Sequence, residues 1–197
     1  QRRLRSWRHP DLDDRLGRRR MLAEARLMVR LYKSGLNIPV LYDCDIKEQQ
    51  LVMSNVPGRP LIELLNDDSI DDATMMKHLQ SAGYSIRMLH RQAIVHGDLS
   101  TNNIMITPSG EAVLIDFGLA KIEFETELYG IDLHVLFEIL GASHPHRENA
   151  MEAVLQGYKQ CEQDLGTAAK TPGGDPVCME DVIERFDLIR TRVRYHG

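Results

Sequence analysis

Apolar and polar positions along this chain follow two different periods, and the switches between them mark the predicted elements. From about Leu12 to Lys33 the apolar positions Leu22, Ala25, Val29 and Tyr32 recur at helical spacing. They predict a helix, with Asp11 or Asp13 placed to cap it and Gly35 placed to end it. Glu24 lies inside that helix. Val40-Leu-Tyr and Leu51-Val-Met are short apolar runs with turn residues between them, and predict an antiparallel strand pair over Pro39 to Asp43 and Gln50 to Met53. Asn55-Val-Pro-Gly-Arg-Pro60 interrupts regular structure and reads as a connector between two lobes. Leu61 to Leu65 predicts a short helix. Asp72 to Arg91 predicts a long one, with Met75, Leu79, Ala82, Ile86 and Leu89 on its inner face. Ile104-Met-Ile and Val113-Leu-Ile flank the turn-rich Thr107-Pro-Ser-Gly110, a hairpin that would present Asn103 and Asp116 at neighbouring ends. Helices over Gly130 to Leu140, Arg147 to Leu165 and Val177 to Arg194, with a loop from Gly166 to Pro176, complete a mainly helical second half.

Composition changes this picture little. A chain of 197 residues, 43% hydrophobic and 27% charged, can bury a sizeable core. No run of eighteen apolar residues exists, which excludes a helical membrane span, and no leader-like segment precedes the fold. The expected compartment is cytoplasm or nucleus. Cys44, Cys161 and Cys178 are widely spaced and odd in number, and so read as reduced, partly buried thiols. Charge is more informative. The net value is −5, yet the first twenty residues hold eight arginines and the last helix runs into Arg190, Arg192 and Arg194. Both ends are basic and the middle acidic, which fits either solvated faces or a polyanion contact.

The candidate chemistry sits in Val95-His-Gly-Asp-Leu-Ser-Thr-Asn-Asn-Ile-Met-Ile106 and Ala112-Val-Leu-Ile-Asp-Phe-Gly-Leu119. Asp98, Asn103 and Asp116 recur there in the order in which protein kinases place a catalytic base and two magnesium ligands. Phosphoryl transfer needs little covalent help: cations must bridge the phosphates, and a carboxylate must orient or deprotonate the nucleophile. An aspartate and an asparagine carbonyl suit magnesium, which prefers oxygen. Asp116 suits the ion that bridges phosphate oxygens, Asn103 the second ion, and Asp98 faces the attacking hydroxyl or water. His96 is expected to pack rather than act as a base. Glu24 is the natural partner of a lysine that holds the α- and β-phosphates. Met53 ends a strand just before Ser54-Asn55-Val56, where the backbone of Ser54 and Val56 could meet an adenine edge. Asp132 is placed to accept hydrogen bonds from the catalytic-loop backbone.

Two absences matter. No glycine-rich phosphate loop precedes Glu24, and the first lysine is Lys33, which follows Glu24 and cannot be the strand lysine. The sequence therefore reads as a fragment. Only fifteen residues separate Asp116 from Asp132 and no Ala-Pro-Glu follows, too little for a conventional peptide-docking activation segment.

Arg8-His-Pro10, Arg18-Arg-Arg20 with Glu24-Ala25, the His-Gly-Asp and Asp-Phe-Gly stretches, and Gly130-Ile-Asp-Leu133 together resemble the small atypical kinase family of the KEOPS (or EKC) complex, the PRPK family. The similarity covers essentially the whole chain. It implies an α+β, protein-kinase-like bilobal fold, with residues 1–56 a partial, reduced N-lobe and 57–197 a small, mainly helical C-lobe with a basic tail. It implies ATP and Mg2+ as cofactors, serine/threonine phosphorylation or autophosphorylation, and ATP hydrolysis within a complex that supports threonylcarbamoyl-adenosine formation in tRNA. The implied partners are a threonylcarbamoyl transferase subunit and a small regulatory subunit. The family's strand lysine would fall just before Gln1, and its basic tail ends in a cluster from which Arg190 to Gly197 departs.

Three rivals stand beside this reading. A RIO-type kinase shares the catalytic loop, though its members usually lack the glycine seen at Gly118. Aminoglycoside- or choline-kinase-like enzymes typically continue His-Gly-Asp with His-Pro, where this chain has Leu99-Ser-Thr. A pseudokinase-like scaffold that binds KEOPS subunits or tRNA would need no turnover at all.

Overall fold

The computed structural model describes residues 10–171 and 173–193. Helix α1 (Pro10–Lys33) precedes the antiparallel hairpin β1 (Leu41–Asp45) and β2 (Gln50–Met53). Strand β3 (Arg59–Pro60), α2 (Leu61–Leu65), α3 (Asp72–His90) and β4 (Ile94–Val95) follow. The hairpin β5 (Ile104–Ile106) and β6 (Ala112–Leu114), strand β7 (Lys121–Ile122), and helices α4 (Thr126–Ser143), α5 (Ala150–Leu165) and α6 (Met179–Val193) complete the order. This is the α+β class expected.

Helix α1 is described from Pro10, so Asp11 and Asp13 stand within it rather than ahead of it, which corrects the expected cap. The apolar face is also corrected. Met21, Ala25, Leu27, Met28 and Leu31 are buried, whereas Val29 and Tyr32 are exposed and Leu22 is only half-buried. The true stripe is rotated toward the side that carries Glu24, so that carboxylate is drawn to the margin of the core. Gly35, at φ +80°, ends the helix as expected, with its N–H donating to the Tyr32 carbonyl and Leu36 N–H reaching Leu31.

Strand β1 begins at Leu41, two residues later than the pattern suggests, and a bulge between Leu41 and Asp43 shifts its register against β2. The connector is not wholly irregular. Arg59 and Pro60 pair with Ile106 and Met105 as an edge strand of the sheet β3-β5-β6. Gly58 makes this possible: at φ +126°, a Cβ there would stand 2.0 Å from the Ile106 carbonyl oxygen.

Helix α3 is capped by Asp71, whose side chain accepts from Thr74 N–H at 2.9 Å. Its five expected inner residues are all buried. It crosses α5 at backbone contact, because a Cβ on Gly83 would lie 1.8 Å from the Val154 carbonyl and one on Gly157 1.8 Å from that of Gln80. Helix α4 extends beyond its expected span at both ends, while α5 starts at Ala150 rather than Arg147. The core is continuous from Met28 and Leu31 of α1 through Leu79 and Ile86 of α3 to Leu133, Val154 and Phe186 of α4, α5 and α6. Cysteine burial is mixed: Cys161 is buried, Cys44 half-buried and Cys178 exposed, so only part of the expected burial holds.

Candidate active site

Strands β4 and β7 bring the two motif stretches together. Ile94 pairs with Ile122 and Val95 with Lys121, and Glu123 N–H donates to the Ala93 carbonyl at 2.9 Å. The chain leaving Phe117 thus returns against the strand that leads into the loop carrying Asp98. Neither two-residue strand stands out by periodicity, and both escape a reading of the sequence.

Leu99, almost wholly buried, anchors the loop and leaves its neighbour Asp98 exposed. Asn103 Nδ2 donates to the Asp98 carbonyl at 2.8 Å and reaches its Oδ2 at 3.2 Å. These bonds hold the Asp98 carboxylate and use the amide nitrogen of Asn103, leaving the amide oxygen for another partner. Ile115 N–H donates to the Asn103 carbonyl at 3.0 Å, so Asn103 and Asp116 stand at adjacent ends of the β5–β6 hairpin, as its turn signals predict.

Gly97 takes φ +76°, and a Cβ on it would lie 2.7 Å from the Leu119 carbonyl oxygen. That contact explains why glycine, not arginine, sits between His96 and Asp98. Asp116 itself is left-handed at φ +63°, a conformation aspartate tolerates better than most side chains. Its Oδ1 accepts from Gly118 N–H at 3.3 Å.

Asp132 does what its position predicts. Its Oδ2 accepts from His96 N–H at 2.6 Å and its Oδ1 from Gly97 N–H at 2.9 Å. Burial alone would raise its pKa, but the hydrogen bond from His90 and the two backbone donors outweigh it and hold the carboxyl below the ordinary range. His96 packs against Phe117, with ring centroids 5.4 Å apart, and its Nε2–H donates to the Ile115 carbonyl at 3.1 Å. Burial pushes the imidazole pKa down, so the ring is neutral and structural.

A cleft of about 600 Å³ opens beside this loop. Glu24, Met53, Ser54, Val56 and Asp116 line it, so five sequence-selected positions separated along the chain meet in one cavity. Asp98 and Asn103 are outside its lining, although Asn103 joins Asp116 through the hairpin. The cleft's remaining apolar walls, Met28, Met105, Ile115 and Phe117, are not among the residues chosen from the sequence. Met105 has a legible signal: it alternates with the buried Ile104 and Ile106, so it faces away from the core. Ser54 is held firmly, its N–H donating to the Val40 carbonyl at 2.8 Å and its hydroxyl accepting from Val40 N–H at 2.9 Å. Glu24 is half-buried, and burial followed by the charge of Asp116 raises its pKa.

Of the basic tail, Arg190 lies over the rings of Phe137 and Phe186, at 5.7 and 5.5 Å, and pairs with Asp187 at 2.9 Å. Arg192 is exposed, and Arg194 lies outside the described residues, as do the arginines before Pro10. Among the described residues no helix is long and apolar enough to cross a membrane.

Comparison with known proteins identifies the family. The family model of the RIO domain matches residues 4–124. The chain is 37% identical over 153 residues to the KEOPS complex subunit Bud32 of Pyrococcus abyssi, covering 77% of this chain and 68% of that protein. It is 34% identical over 171 residues to the EKC/KEOPS complex subunit BUD32 of Gibberella zeae, covering 78% of this chain and 65% of that one. A probable bifunctional tRNA threonylcarbamoyladenosine biosynthesis protein of Methanosarcina mazei is 32% identical over 191 residues, covering 96% of this chain and 30% of that protein. The chain thus spans about two thirds of the single-function relatives and less than a third of the bifunctional one. The RIO and KEOPS readings set apart on sequence grounds coincide here, and the chain belongs to the RIO-domain family of KEOPS/EKC Bud32 subunits.

Proposed function

We propose that this chain carries the catalytic half of an ATP-dependent phosphoryl-transfer site and acts as a KEOPS/EKC subunit. In that role it hydrolyses ATP or phosphorylates serine and threonine, in support of tRNA threonylcarbamoyl-adenosine formation. The observation that carries the proposal is a cleft of about 600 Å³, large enough for a nucleotide, lined by Asp116 with Glu24, Met53, Ser54 and Val56, while Asn103 is hydrogen-bonded both to Asp98 and to Ile115, the neighbour of Asp116. In this reading residues 1–56 contribute to the N-lobe and 57–197 form the C-lobe.

The adenine would lie between Met53, Met105, Ile115 and Phe117, with its edge against the backbone at Ser54 and Val56. The donor set fits Mg2+: the carboxylate of Asp116 and the amide oxygen of Asn103 are hard oxygen ligands that would hold it, and the nearby Glu24 carboxylate adds negative charge to the site. Bound magnesium would neutralise phosphate charge. Asp98 would orient the attacking hydroxyl or water, its carboxylate held by Asn103 Nδ2. Glu24 would hold a phosphate-binding lysine. The transferase and the small regulatory subunit are the proposed partners, tRNA contact is proposed for Arg192 and Arg194, and the compartment is cytoplasm or nucleus.

The test is magnesium-dependent ATP hydrolysis by the full-length protein with the transferase subunit present. Asp116→Ala is expected to abolish it. Unchanged turnover in that variant would remove the metal assignment, and no turnover in the parent would leave the scaffold reading.

A further inference from the structure

Asp132 on α4 is one end of a buried polar chain that leads away from the cleft. Its carboxylate, bonded to His96 and Gly97 N–H, also stands 3.4 Å from Nε2 of His90 on α3. On the opposite edge of that ring, Nδ1 lies 2.8 Å from the hydroxyl of Tyr158 on α5. His90 and Tyr158 are fully buried. Both rings are fixed by their neighbours: Tyr129 meets His90 edge to face at 4.8 Å, and the Arg87 guanidinium lies 5.5 Å from the centre of the Tyr158 ring.

Burial holds the His90 imidazole pKa down, so the ring is neutral, and for a neutral ring the partners admit one order of protons. The ionised Asp132 can only accept, so the His90 proton that faces it sits on Nε2. Nδ1 of the neutral ring is then an acceptor and needs a donor, which the phenol supplies. In the other tautomer, the Nε2 lone pair would face the carboxylate and Asp132 would lose its side-chain donor. Three helices far apart in sequence therefore agree on one arrangement, and its output is the backbone of His96 and Gly97, immediately before Asp98.

We propose that Tyr158 is a positioning residue for the catalytic loop: its hydroxyl fixes the His90 tautomer with which Asp132 holds the His96 and Gly97 backbone. It touches neither the cleft nor the motif residues. Its effect on turnover rests on the phosphoryl-transfer reading above; its effect on the loop does not.

The experiment compares the full-length protein with Tyr158→Phe, which keeps the ring and removes only the oxygen. Imidazole 15N spectra of the parent protein are expected to show His90 protonated on Nε2 and unprotonated on Nδ1. A His90 protonated on Nδ1 overturns the proposal, and this arm stands even if the variant does not fold. In a folded Tyr158→Phe, amide hydrogen exchange at His96 and Gly97 is expected to accelerate about fivefold to tenfold, as befits a lost buried hydrogen bond. Unchanged exchange at both amides overturns the proposal. In the ATP assay the same variant is expected to lose about fivefold in kcat with KM for ATP unchanged. A rise in KM alone, with kcat preserved, also overturns it. If the parent shows no turnover, the functional reading fails while the spectra and exchange still decide this one.

Discussion

Glu24 of α1 and Asp116 at the end of the β5–β6 hairpin converge on the same small volume beside Gly118. A Cβ on that glycine would stand 3.3 Å from Oδ1 of Asp116 and 3.7 Å from Oε2 of Glu24. Two carboxylates so placed repel each other, and the raised pKa of Glu24 records it, together with the burial that the rotated face of α1 imposes. A cation bound there, as proposed, would relieve that repulsion.

The first prediction is a pH dependence with a definite sign. A carboxyl whose pKa is raised on folding binds its proton more tightly in the native state, so its ionisation costs stability. That cost is absent below the ordinary glutamate value of 4.5, grows as pH rises through it, and is complete above the raised native value. Glu24→Gln should therefore flatten the fall in melting temperature toward neutrality. The gain should be no more than about 0.5 kcal/mol, because the half-exposed pair is screened. Melting curves across that range in low salt check it, and a steeper fall in the variant would refute it.

Asp132 gives the opposite sign. Its pKa is depressed on folding, so its contribution is fully present above the ordinary aspartate value of 3.8 and is lost as pH falls through the native value. Asp132→Ala leaves the buried His96 N–H and the partly buried Gly97 N–H without their acceptor, which should cost about 2–3 kcal/mol in denaturant titration at neutral pH. The difference between parent and variant should shrink in acid.

Much of this site is legible in the sequence because its residues sit at fixed offsets within one hairpin and one loop. Asp98, Asn103 and Asp116 are bound to their places by local turns, and Asp132 by its helix. What escapes is set by distant packing. The apolar face of α1 is decided by where the β1–β2 hairpin lies, and the structure buries the stripe next to Glu24 and leaves Val29 and Tyr32 exposed. Strands β3, β4 and β7 are two residues each and exist only because partners remote in sequence supply their hydrogen bonds. The network from Tyr158 to Asp132 joins three helices, and no spacing announces it.

Gly58 offers a backbone test at the edge of the cleft. Its φ of +126° and the 2.0 Å approach of the Ile106 carbonyl leave no room for a side chain. Gly58→Ala should cost about 3 kcal/mol or more, and should loosen the β3–β5 pairing that sets the distance between Val56 and Met105. Denaturant titration gives the cost. A loss confined to nucleotide affinity, with stability intact, would contradict the account.

The arginines of α6 can be separated by their contacts. Arg190 is engaged with Phe137, Phe186 and Asp187, so Arg190→Ala should lower stability by about 1 kcal/mol through lost packing and cation–π contact. It should leave the salt dependence of tRNA binding unchanged. Arg192 is exposed, and if it meets a phosphate, Arg192→Ala should weaken binding while reducing the slope of log K against log salt by about one unit. Melting curves and binding titrations at several salt concentrations distinguish the two residues. A changed slope for Arg190→Ala with none for Arg192→Ala would reverse the assignment and move the nucleic-acid contact onto the face that α6 presents to α4.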